Sequence, residues 1–169
     1  MGIYALLAEA FRYPAPGRLE TLQSAQAALP SGAAKKQFKN FVDSVADLSL
    51  GEWEELHTRT LDLNPPAAPY VGYQIWGESY KRGNFMALMN RALNQNGIDP
   101  DGELPDHLTP ILLYLDQASQ PLPELLEVLE PSVHKMRQVL HKKDPANPYI
   151  SLFDAILHLP RLEKKPEGV

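Results

Sequence analysis

Residues 122–140 read LPELLEVLEPSVHKMRQVL, which sets Leu122, Leu125, Leu126, Leu129, Val133, Met136 and Leu140 at spacings of three and four. That period belongs to one face of an α-helix, and it holds register across Pro131. The segment is therefore either one helix kinked at the proline or two helices that abut there, with Pro131 opening the second.

The same period recurs on both sides of this segment. Towards the C-terminus, Asn147 and Pro148 open a helix with Tyr149, Leu152, Phe153, Ile156 and Leu157 on one face, ending by Pro160. Towards the N-terminus, Thr109 and Pro110 have the chemistry of an N-cap and first turn ahead of the apolar run 111–115. A helix with Phe85, Leu88, Met89, Ala92 and Leu93 on one face starts near Glu78 and stops at Asn96 and Gly97, a left-handed C-terminal cap. Ser49 and Glu52 have capping-box spacing and open a helix that carries Trp53, Leu56, His57 and Leu61. Earlier stripes are Phe38, Phe41, Val42, Val45 and Leu48, then Leu19, Leu22, Ala25 and Leu29, then Ile3, Leu6, Leu7, Ala10 and Phe11. No stretch alternates at period two, so the expected fold class is all-α. It is one domain of about eight or nine helices over residues 1–160, followed by a polar, frayed tail at 161–169.

Two irregular segments interrupt the helices. Asp62 to Trp76 holds Pro65, Pro66 and Pro69, which remove donors and bias their predecessors towards extended backbone. Ile98 to Leu104 is the second, and it leads into Glu103, Leu104, Pro105, Asp106, His107 and Leu108. A tight turn there is expected to aim Asp106 and His107 outward.

Composition narrows the function classes. Net charge is −5, with 16 Lys and Arg against 21 Asp and Glu, which disfavours a phosphate backbone and predicts no nucleic-acid partner. The basic group His134, Lys135, Arg137, His141, Lys142 and Lys143 reads as a solvated helix end. Cysteine is absent, so thiolate metal sites and cysteine nucleophiles are excluded. No apolar run reaches the ~20 residues of a spanning helix and no export signal leads the chain, so membrane insertion is not expected. Glu54 and His57 have metal-ligand spacing without a second such pair, and Asp99, Asp101 and Gly102 lack the end carboxylates of a calcium loop. With no P-loop, dinucleotide fingerprint or nucleophile elbow, the reading is a chain without metal, cofactor or catalysis of its own.

What remains is recognition chemistry. Pro69, Tyr70, Tyr73 and Trp76 offer stiff apolar and aromatic surface, and Asp62, Glu78, Asp99, Asp101, Glu103 and Asp106 outnumber the nearby cations Lys81, Arg82 and Arg91. An apolar and acidic surface complements a basic, amphipathic peptide. The alternative role for the aromatics is to plug the core beneath a long loop, and that for Asp106 is to cap a turn.

The run LHTRTLDL at 56–63, then Asn64, Pro65, Pro69 and Tyr70, then Gly97 and the run from Glu103 to Leu108, resembles the redox-enzyme maturation chaperones. The likeness is nearest the nitrate reductase delta-subunit (NarJ-type) group, related to the TorD and DmsD chaperones. It extends from the first helix to about Gln117 and fades beyond. It implies a cytoplasmic, all-helical protein that binds the N-terminal or twin-arginine leader of a molybdoenzyme catalytic subunit and holds it for molybdenum cofactor insertion. By the same resemblance, Asp106 and His107 match the leader-binding motif, and Pro69 and Tyr70 match a proline-aromatic pair near the groove. Leu61 stands where relatives often have an aromatic, and His57 where some have Trp. His57, Leu61, Pro69, Tyr70, Tyr73, Trp76, Glu103, Asp106 and His107 are thus the candidate peptide-binding residues. The Pro-rich loop and the Glu103 to Leu108 turn are the expected walls of one groove. The resemblance also allows a monomer or a domain-swapped dimer hinged at Asp62 or Ile98. The rival classes are a helical oligomerisation scaffold and a helical metalloenzyme.

Overall fold

Apolar residues three and four apart gain most when neighbouring helices cover the same stripe, and the chain is built that way. In the computed structural model, which describes residues 1–62, 67–160 and 162, nine α-helices follow one another and no strand occurs among the described residues. They are α1 (Ile3–Phe11), α2 (Arg18–Ala27), α3 (Ala33–Ala46), α4 (Leu50–His57), α5 (Val71–Trp76), α6 (Tyr80–Gln95), α7 (Leu108–Gln117), α8 (Pro123–Lys143) and α9 (Tyr149–Leu157). A single π-helical turn, Thr58–Asp62, extends α4.

The expected stripes form one core. Leu6, Leu7, Phe38, Phe41, Met89, Leu112, Val133, Met136, Tyr149 and Phe153 are buried in one contiguous cluster. α1 packs on α7, α3 on α9, and both α5 and α9 on α8. Aromatic rings stitch the α1, α3 and α9 seams: Phe11 lies 5.4 Å from Phe153, and Phe41 lies 5.0 Å from Tyr149. The Trp53 indole donates to the Tyr149 hydroxyl at 3.2 Å, which satisfies a buried N–H.

The ends of the elements follow from local chemistry. Ser49 and Glu52 close a complete capping box, each side chain meeting the other's backbone N–H. Ser49→Ala removes one of the two bonds and is expected to cost about 1 kcal/mol in chemical denaturation. Gly97 closes α6 at φ +67°, a left-handed conformation in which the Ile98 amide returns to the Leu93 carbonyl. α8 passes through Pro131 as one helix, the first of the two alternatives.

Two expectations are corrected. Val71–Trp76 is helical rather than part of an irregular loop, because the prolines end at Pro69 and the freed backbone closes a turn through Gln74 N–H to Tyr70 O at 3.1 Å. The cap of α7 is His107, not Thr109: its Nδ1 accepts the Thr109 amide at 3.0 Å, so Thr109 and Pro110 lie inside the first turn. The polar tail at 161–169 falls outside the described residues except for Leu162, as do Pro65 and Pro66 of the loop.

Candidate functional site

The turn before α7 is held from behind. Val71 donates to the Asp106 carbonyl and Leu108 to the Pro69 carbonyl, both at 2.8 Å, so Tyr70 and His107 face each other as an isolated antiparallel pair. The Pro69 end of the loop and the turn are thus stapled together, while residues 63–66 of the loop lie outside the described residues. Two extended backbones with free donors and acceptors bond to each other here, which fixes Pro69 and Tyr70 against the turn.

The outward direction expected for Asp106 is corrected. Its side chain is fully buried and takes a two-pronged contact from Arg82, Nε to Oδ2 at 2.8 Å and Nη2 to Oδ1 at 3.1 Å. Nη1 of the same guanidinium reaches Glu78 at 2.6 Å. Hydrogen bonding to Asp106 raises the Arg82 pKa above its ordinary value, so the guanidinium stays charged. Arg82 lies 5.5 Å from the ring centres of both Tyr70 and Tyr73. The pair fits because Gly72 lacks a Cβ; an added one would sit 2.9 Å from Asp106 Oδ2 and 3.1 Å from Phe85.

On the other side of the turn a cleft of about 270 Å³ opens between the end of α1, the π turn after α4, residues 99–103 and the start of α7. His57, Leu61, Asp62, Glu103 and His107 line it together with Phe11, Arg12, Tyr13, Arg18, Asp99, Asp101 and Thr109. Of the candidate residues, His57, Leu61, Glu103 and His107 therefore meet here. Tyr70 supports the rim, its hydroxyl donating to Glu103 at 3.3 Å and its ring meeting the His107 ring edge-on at 5.2 Å. Burial, and then Glu103, push the Tyr70 hydroxyl up to about 12, which keeps it a donor. Asp106 and Pro69 act from behind. Tyr73 and Trp76 lie outside the cleft, Tyr73 exposed and Trp76 against Phe85 at 5.3 Å.

Both cleft histidines have assignable tautomers. His57 Nε2 lies 2.9 Å from the Phe11 carbonyl, which can only accept, so Nε2 carries the proton. Its Nδ1 is 3.5 Å from Asp62 Oδ2 without a hydrogen bond. His107 accepts through Nδ1, so its proton sits on Nε2, 3.8 Å from Glu103. Burial outweighs the nearby Asp106 charge and lowers its pKa to about 4, so the ring is neutral and the Glu103 contact is not an ion pair.

Charge in the cleft is unevenly partnered. Glu9 takes Arg12 at 3.1 Å and Arg18 at 3.4 Å, and Asp101 takes Arg12 at 3.5 Å. Asp62, Asp99 and Glu103 have no Lys or Arg partner among the described residues, which leaves the opening acidic. Among the described residues, three buried side-chain atoms lack a directed hydrogen bond: Arg12 Nε, His57 Nδ1 and Thr109 Oγ1. For Arg12 Nε the Glu9 carboxylate is within ion-pair distance but off the N–H direction. All three belong to residues of this one cleft.

Arg82, behind the turn, and Arg12, in the cleft, are the residues of this region that sequence reasoning passed over. Arg82 was detectable, because it falls three residues before Phe85 on the apolar face of α6, where a charge demands a buried counter-ion. Arg12 had no such mark, since it lies at a helix end and reaches the cleft only through the packing of α1 on α7. The chain matches no protein-family model and no curated protein.

Proposed function

We propose that the chain is a peptide-binding chaperone of the redox-enzyme maturation kind. Its client segment is the N-terminal or twin-arginine leader of a molybdoenzyme catalytic subunit, held while the molybdenum cofactor is inserted. The observation that supports it most is the acidic opening of a single cleft, in which Asp62, Asp99 and Glu103 have no Lys or Arg partner among the described residues. A bound segment supplies what these acids lack: basic side chains for Asp62, Asp99 and Glu103. Leu61, Phe11 and Leu113 give the apolar contact. The resemblance at 56–70 and 103–108 gives the client class. Binding and release suffice for this role, and the reading assigns no catalytic step. It places the chaperone in the cytoplasm with its client.

The test is a calorimetric titration with the leader peptide of the molybdoenzyme encoded beside this chain. The expected outcome is binding that weakens by about tenfold or more in Asp62→Lys/Glu103→Lys, while Glu55→Lys on exposed α4 changes little. Lack of binding at about 100 μM, or equal loss in both variants, would sink the assignment.

A further inference from the structure

Trp76, which the cleft does not use, lies in a second depression of about 260 Å³ between α5, α6 and α8. Trp76, Phe85, Leu88 and Val128 form its floor, and the volume admits one large aliphatic or aromatic side chain. The rim is charged: Lys81 stands on α6, and Glu124 and Glu127 stand on α8. All three are exposed, and none has an ion-pair partner among the described residues. Glu124 and Glu127 are three residues apart on one helix, so their carboxylates are neighbours about one turn apart.

We propose that this depression is a docking site for a basic amphipathic helix of a partner protein. The partner seats one apolar side chain on the Trp76 floor and places two Lys or Arg residues, one turn apart, against Glu124 and Glu127. Charge complementarity selects this occupant. An apolar floor alone accepts any hydrophobic side chain, but two unpaired acids at helical spacing on one side of it repel acidic helices and set the register of basic ones. The site is separate from the α1, α4 and α7 cleft, and the inference does not depend on the peptide reading of that cleft.

Trp76 reports occupancy directly, because the only other tryptophan, Trp53, is buried and hydrogen-bonded in the core. The probe is an alanine-based helix with one leucine flanked by two lysines on the same face, compared with the same helix carrying glutamates in place of the lysines. A saturable shift in emission is expected with the lysine helix and at least about tenfold weaker binding with the glutamate helix. The shift disappears in Trp76→Phe, and Glu124→Lys/Glu127→Lys, both exposed positions, reverses the preference. Equal binding of the two helices, or no shift up to about 1 mM, overturns the proposal. So does light scattering that shows a dimer dissociated by Trp76→Ala, because the occupant is then a second copy of the chain.

Discussion

Asp106→Ala is expected to lower the free energy of unfolding by about 3–5 kcal/mol, the cost of leaving one member of a buried ion pair alone. Arg82 would keep its charge with only Glu78 to meet it, and the Glu78 side chain is 80% exposed. Urea denaturation followed by circular dichroism at pH 7 measures the loss. Asp106→Ala/Arg82→Met is expected to recover much of it, because no charge is then stranded. A cost under about 1 kcal/mol for the single variant would class the contact with marginal surface bridges and remove its role as the latch of the turn. The same experiment separates two meanings of Asp106. A leader-contact residue would weaken binding without lowering stability, whereas a buried latch does the opposite first.

The second large effect is on pH dependence, and it comes from His107. In the unfolded chain the imidazole has its usual pKa near 6.5, while burial in the native turn lowers it to about 4. Between those values the unfolded state binds a proton that the native state refuses. Stability from this group is therefore complete above about pH 6.5 and is lost as pH falls towards 4. The difference integrates to about 3 kcal/mol. His107→Asn is the matched control, since its side-chain oxygen can still cap the Thr109 amide and does not titrate in this window. The expected result is that the wild type loses about 3 kcal/mol more than His107→Asn between pH 7 and pH 4. Parallel profiles for the two proteins would show that the ring takes up its proton in place.

Most of the fold was legible because burial in a helical protein follows a local period. Phe38, Phe41, Val42 and Val45 are three and four apart, and all four are buried. The Ser49 and Glu52 box and the Gly97 cap were legible for the same reason, since their partners lie within a few residues. The site was legible only in part. His57, Leu61, Glu103 and His107 do meet, although the first and the last are 50 positions apart in the sequence. The direction of Asp106 was not legible, because a turn carboxylate goes wherever its strongest partner lies, and that partner is Arg82, 24 residues away. The short α5 was hidden by its own residues: Val71, Tyr73, Ile75 and Trp76 are β-branched or aromatic, and helical structure there rests on docking against α8 rather than on propensity.

The two bonds that join Val71 to Asp106 and Pro69 to Leu108 also have a topological meaning. They tie the chain from 71 to 106 into a ring closed at its base, with α5, α6 and the 98–104 turn strung around it. The entropy of closing such a ring grows only with the logarithm of its length. In closure entropy, extra residues between Ile98 and Gly102 thus cost little, whereas a single proline at position 71 or 108 cuts the ring open. The molecule can tolerate variation in the length of that turn far better than a change of one backbone donor at its clasp.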